Sequence, residues 1–293
     1  MNFSRRVFLA ASAGAALAGR AAAGFGNYIF GVVAPTRDFD KSAEFGFDYH
    51  EPSVCEVANM ADADYQRFKD HVLSSRIRCR RLNFFTSPPA GFDLPVIRVV
   101  GPNLDQPGIR GYLEKSLTRC RELGAEIVVW GSAASRKVPD GFSREKAWAQ
   151  IQDFLRMADP VARAHHIRIA IEPIRSPSCN ILTTGAEVLK MQQELNLPNV
   201  KMMIDYYQMR SMNENPDILW TARKEIIHIH FANPNLSGTS SAWPKDPNED
   251  PEYAHFFGLL KKIGYAGGIS IEAKGTYQES SAGSLAFFKH ELS

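Results

Sequence analysis

Four stretches of the chain finish a run of apolar, largely β-branched residues on a side chain that can hold a metal or carry a proton. IRIAIE ends on Glu172, VKMMID on Asp205, IIHIH on His230 and ISIE on Glu272. An unpaired carboxylate is expensive to bury, so a strand that finishes on one needs a cation, a proton or a partner there. Two Glu, one Asp and one His form a hard, oxygen-rich donor set that suits Mn²⁺, Mg²⁺, Co²⁺ or Zn²⁺, unlike the sulfur-rich sets of structural zinc. Alone, each residue reads as a hydrogen-bonded strand-end acid or a packed histidine. Together, at four successive strand ends, they point to one divalent cation. His228 complicates the set, because residues two apart on a strand face the same side. The histidine nearer the carboxyl end reaches the mouth, which assigns His230 to the metal and leaves His228 behind it or beside the substrate; the reverse assignment stays open.

These side chains converge only if their strands lie side by side. Short β-type runs at 28–33, 47–51, 77–83, 126–130, 167–172, 200–205, 226–230 and 268–272 alternate with helix-type stretches at 39–45, 62–75, 109–123, 144–165, 185–195, 216–223, 251–263 and 281–291. That alternation predicts a parallel α/β fold. Eight units of about 34 residues suit a single-domain (β/α)8 TIM barrel, whose active site lies at the carboxyl ends of its strands. The competing doubly wound sheet lacks a strand-linked Gly-x-Gly-x-x-Gly. Long segments at 86–107 and 232–250 follow the third and seventh strands and are placed to roof a pocket. Glu51, Asn83 and Trp130 end the second, third and fourth strands, where they can line that pocket, and Trp243 in the late loop can stack on a sugar face. Each of these also has a plain structural reading. Gly131-Ser132 can bring backbone N–H groups to a substrate oxygen or simply turn the chain.

The chain opens with MNFSRRVFLAASAGAALAGRAAAG, in which SRRVFL matches the twin-arginine export pattern and is followed by an apolar stretch and Ala21-Ala22-Ala23. This predicts a signal over 1–23, a barrel over 24–293 and a periplasmic or exported location. Without Arg5, Arg6 and Arg20, the 34 basic side chains become 31 against 32 acidic ones, so the formal charge of +2 belongs to the signal. A near-neutral domain gives no reason to expect nucleic acid. No later apolar run approaches the ~20 residues that cross a bilayer, so no membrane association is expected after signal cleavage. Cys55, Cys79, Cys120 and Cys179 form no C-x-x-C pair, and are expected as buried free thiols.

The stretches GSAASRKVPDGFSREKAWAQ, IEPIRSPSCNILTT, IDYYQM and HIHFANP, each after a strand and in this order, resemble the xylose isomerase-like TIM-barrel superfamily, in its sugar isomerase/epimerase branch. The resemblance implies one divalent cation, Mn²⁺ first, on Glu172, Asp205, His230 and Glu272, with Glu172 and Glu272 also the acid/base pair acting on a sugar or keto-sugar. A homo-oligomer is compatible with it. The recognition residues depart from the branch pattern: Ser178 stands where a second glutamate is expected, Gln208 where a substrate-contacting histidine is usual, and no arginine follows His230 through Pro244. The expected substrate is therefore a non-phosphorylated keto-sugar, with Arg136 and Arg175 keeping phosphate in play. Lyase chemistry, as a dehydratase or on a 3-keto-glycoside, and a non-catalytic sugar-binding barrel are the alternatives.

Overall fold

The computed structural model describes residues 28–234, 241–275 and 277–293; the signal expected over 1–23 lies outside the described residues. Eight strands form within or beside the expected β-type runs: β1 (Ile29–Val33), β2 (Tyr49–Glu51), β3 (Arg81–Leu82), β4 (Ile127–Trp130), β5 (Arg168–Ile171), β6 (Val200–Asp205), β7 (Ile226–Phe231) and β8 (Gly268–Ile271). All seven laddered pairs are parallel, in the order β2-β1-β8-β7-β6-β5-β4-β3. Single parallel bridges, Tyr49 to Arg78 and Ser53 to Asn83, join the two ends of that order. The result is the expected (β/α)8 barrel, nearly closed.

Parallel neighbours need long crossovers, and helices supply them: α1 (Phe39–Glu44), α2 (Val54–Asn59), α3 (Asp62–Ser74), α4 (Gln106–Glu122), α5 (Ala133–Arg136), α6 (Arg144–Ala164), α7 (Gly185–Leu195), α8 (Tyr206–Ser211), α9 (Ile218–Thr221), α10 (Tyr253–Lys262) and α11 (Tyr277–Leu292). The short helices α2, α5 and α8 follow β2, β4 and β6 and were not expected, because four to six residues are too few to show a helical period. Two of the three, α2 and α8, have caps written in the chain. Ser53 accepts from the Glu56 N–H, and Asp205 accepts from the Gln208 N–H at 2.9 Å, each satisfying an amide that the helix start leaves open.

Alternation along the strands decides what enters the barrel. In β4, Ile127 and Val129 point inward and pack with Ala170 and Met203. Val128 and Trp130 point outward into the helical layer. The Trp130 ring lies 4.9 Å from that of Phe154 on α6, and its Nε1–H donates to Thr86 Oγ1 at 2.8 Å. Trp130 thus faces away from the pocket it was expected to line.

In β7 the same alternation fixes His230. Its neighbour Phe231 is buried among helices, its ring 4.6 Å from Tyr206, 5.1 Å from Phe257 and 5.3 Å from Phe288. Burying a ring of that size stabilises by roughly 2–3 kcal/mol, so turning the strand over would be costly and His230 stays inside. A register shift between Met202 and Met203 pairs Met203 with His228 and brings Asp205 level with His230. The four cysteines are buried and free, as expected. Among the described residues no helix is long and apolar enough to cross a membrane.

Candidate active site

At the carboxyl ends of β5 to β8 the four expected donors meet. Glu172, Asp205, His230 and Glu272 each offer a ligand atom, all within 4.8 Å of one another. Glu172, Asp205 and His230 are buried, while the Glu272 side chain is 25% exposed. Nδ1 of His230 lies 2.9 Å from Oε2 of Glu272 and 3.8 Å from Oε1 of Glu172. Glu172 Oε1 has no hydrogen-bond partner, a costly state for a buried carboxylate oxygen. Three carboxylates around one imidazole, one of them with an unsatisfied buried oxygen, fit a divalent cation in donor type and in charge.

Electrostatics follow from that crowding. Burial pushes the Glu172 carboxyl up, and the Glu272 charge adds to it. Burial also raises Asp205 well above the usual range, with Glu172 and Glu272 adding to the effect. For His230 burial works the other way, yet the carboxylates of Glu51 and Glu272 hold the imidazole well above its ordinary value.

Glycine at 131 makes room for this arrangement. A Cβ built there would stand 1.8 Å from Oε2 of Glu172 and 2.9 Å from Oδ1 of Asn83. The side chain of Glu172 therefore occupies the space that any other residue at 131 would fill. Ser132 keeps the following turn in place by accepting from the N–H groups of Thr86 at 2.9 Å and Ser87 at 3.2 Å.

Below the cluster, buried polar side chains share the barrel interior with the aliphatic Ile127, Val129, Ala170 and Met203. The two oxygens of Glu51 lie 2.9 Å from His230 Nε2 and 3.0 Å from His228 Nε2. Ser270 donates to Glu51 and pairs with the Tyr49 hydroxyl at 2.6 Å. Nδ1 of His228 sits 3.0 Å from the carbonyl of Gly268. Burial alone would raise the Glu51 carboxyl, but the imidazoles of His228 and His230 pull it well below the usual range, so it stays ionised.

Above the cluster a cavity of about 500 Å³ opens, with Asp205 and Glu272 in its wall beside Gln208, Glu56, Arg37 and Phe92. The loop after β3 contributes Pro89, Ala90 and Phe92, and the late loop contributes Ser241, so both long segments reach the mouth as expected.

The residues expected at the substrate divide. Gln208 lines the cavity, its Oε1 accepting from the Arg175 N–H at 3.1 Å. Asn83 is buried and donates to Glu272 Oε1 at 3.3 Å. Glu51 and His228 lie beneath His230 and do not reach the cavity; a contact across 179 and 177 residues leaves no local trace in sequence. Arg136 is fully buried and donates to the carbonyls of Trp130 and Glu172, tying β4 to β5 instead of facing a substrate. Trp243 is buried in the main core against Gly275, away from the cavity wall. Sequence reading passed over Glu56, Arg37 and Phe92. Of these only Glu56 had a signal, the S-V-C-E capping box that starts α2.

Residues 39–290 match the xylose isomerase-like TIM barrel family. An L-ribulose 3-epimerase of Methylomonas sp. (strain DH-1) is 30% identical over 154 residues, 51% of this chain and 50% of that protein. A ketose 3-epimerase of Arthrobacter globiformis is 29% identical over 110 residues, 36% of this chain and 35% of that protein. The matched segments thus span half or less of these relatives. Among solved structures, a D-psicose 3-epimerase crystallised in the presence of D-fructose superposes with a TM-score of 0.76 at 15% identity, covering 90% of this chain and 99% of that one. The 3-keto-D-glucoside 4-epimerase of E. coli superposes with a TM-score of 0.68 at 16% identity, covering 90% and 97%. At such identities the superpositions speak for the fold.

Proposed function

The chain belongs to the xylose isomerase-like TIM barrel family, and from that premise we propose that it is a divalent-metal-dependent epimerase of a non-phosphorylated keto-sugar. The observation that carries this reading is the buried meeting of Glu172, Asp205, His230 and Glu272 at the floor of an open cavity. The epimerase activity named for its relatives supports it.

These four residues would hold the cation, with Mn²⁺ as the first choice and Mg²⁺, Co²⁺ or Zn²⁺ as alternatives. When bound, it supplies Lewis-acid polarisation of the substrate carbonyl, which lowers the cost of negative charge growing on that oxygen. Glu272 takes the proton from the carbon beside the carbonyl, since it is the glutamate of the pair that lines the cavity. Asn83 steadies it through the bond to Oε1. Glu172, the second glutamate of the cluster, returns a proton from the other side, and the carbon is inverted. Asp205 is held by the Gln208 N–H and serves the cation alone. Arg136, engaged with backbone carbonyls, is not free for phosphate. The twin-arginine pattern supports action outside the cytoplasm, on sugars met there.

Deuterium exchange tests the reading. The Mn²⁺-loaded chain, incubated with a panel of ketoses in D₂O, should label the carbon next to the ketone, and Glu272→Gln or Glu172→Gln should each slow labelling roughly 10²–10⁴-fold. Undiminished labelling in both variants would sink the catalytic assignment, and faster labelling of a ketose phosphate would sink its non-phosphorylated part. An ultraviolet-absorbing enone or a released aglycone would indicate the lyase instead.

A further inference from the structure

The cavity over the cluster does not end at one sugar's length. A second compartment of about 590 Å³ adjoins it, and the two share Arg37, Glu56, Ala90 and Phe92 in their walls. At protein-like packing density a single hexose fills roughly 150–200 Å³, less than half of the first compartment. A monosaccharide held at Asp205 and Glu272 therefore leaves the outer space to solvent or to more substrate.

The side chains at the junction suit a second sugar ring. Both oxygens of Glu56 accept from the Thr36 N–H, at 3.2 and 3.1 Å, and Oε1 also accepts from the Thr36 hydroxyl at 2.5 Å. That carboxylate is aimed, and it keeps lone pairs for neighbouring hydroxyls. The guanidinium of Arg37 lies 5.8 Å from the Phe92 ring centre, which places a donor beside an aromatic wall. Among the described residues neither Arg37 nor Glu56 forms an ion pair within 4.0 Å. Two opposite charges thus stand in the shared wall without pairing with each other. An acceptor pair, a fork of donors and an aromatic face are the groups that meet the vicinal hydroxyls and the C–H face of a pyranose.

We propose that the compartment at Arg37, Glu56 and Phe92 is a second sugar-ring subsite, and that the substrate is a glycoside presenting its keto-sugar ring to the cluster. This rests on the epimerase reading above. Remote binding energy from the second ring then raises turnover at the first.

The test compares a keto-disaccharide with the matching keto-monosaccharide on the Mn²⁺-loaded chain, following deuterium incorporation in D₂O. The disaccharide should show a kcat/KM at least about tenfold higher, and Phe92→Ala and Glu56→Gln should each lower that ratio towards one. On the metal-free chain, cellobiose should show saturation-transfer signals that Phe92→Ala weakens. Equal kcat/KM for the two substrates overturns the subsite while leaving the epimerase reading in place. A preference that both variants retain, or an equal gain with a phenyl aglycone, overturns the sugar assignment of this compartment. No incorporation from either substrate overturns both readings.

Discussion

The imidazole of His230 is held between two carboxylates, with Nε2 2.9 Å from Glu51 Oε1 on the side away from the cavity. Its other nitrogen faces Glu272 and Glu172. A carboxylate behind a ligating histidine fixes the tautomer and raises the basicity of the exposed nitrogen. Glu51→Gln keeps an oxygen in reach of the Nε2–H, removes the charge and turns the other oxygen, which accepts from Ser270, into an amide donor. Divalent-metal affinity, measured by calorimetry on protein that circular dichroism shows to be folded, should fall roughly 10–100-fold. An unchanged affinity would show that the charge on Glu51 has no part in ligation.

Gly131 predicts a defect of position. With a Cβ 1.8 Å from Glu172 Oε2, Gly131→Ala must move that carboxylate. A displacement of about 1 Å costs on the order of 10²-fold in rate where geometry is set for reaction. The variant should keep its far-ultraviolet circular dichroism and lose metal affinity together with deuterium exchange. Full activity in Gly131→Ala would mean that Glu172 does not need the place it occupies.

His50 predicts an acid-sensitive fold. The ring is fully buried, with Nδ1 2.7 Å from Ser42 Oγ, and burial pulls its pKa down to about 4. The unfolded chain binds that proton near pH 6.5 and the folded chain only at lower pH. Stability from the neutral ring is therefore present above pH 6.5 and is lost as pH falls towards 4, by about 2–3 kcal/mol. Urea unfolding at pH 7.0 and pH 4.5 should show the wild type losing that much more than His50→Asn, which retains a partner for Ser42. Parallel losses in the two chains would refute it.

Much of this molecule was legible because its strands end on the residues that matter. Glu172, Asp205 and Glu272 each close a short β-type run, and the barrel topology alone brings such ends together. Glu51 also ends its strand, yet it points at His230 from below. Depth inside the barrel depends on stagger between strands, which a single sequence does not display. Trp130 was readable and misread: it is out of phase with Ile127 and Val129, so an inward Val129 already places it outside. Trp243 and Arg136 show a different gap, since a long polar or aromatic side chain serves core and cavity equally well, and only packing chooses. Phe92 and Arg37 come from connections without period, where nothing local marks the residue that turns inward.

The joint between β2 and β3 rests on single bridges, whereas the side chains just beyond it, Glu51 and Asn83, span the lumen to His230 and Glu272 on the far staves. Those two struts hold the hoop at its weakest joint, and both terminate on groups that would grip the ion. An ion held by His230 and Glu272 would thus be braced, through Glu51 and Asn83, from the two strands on either side of that joint.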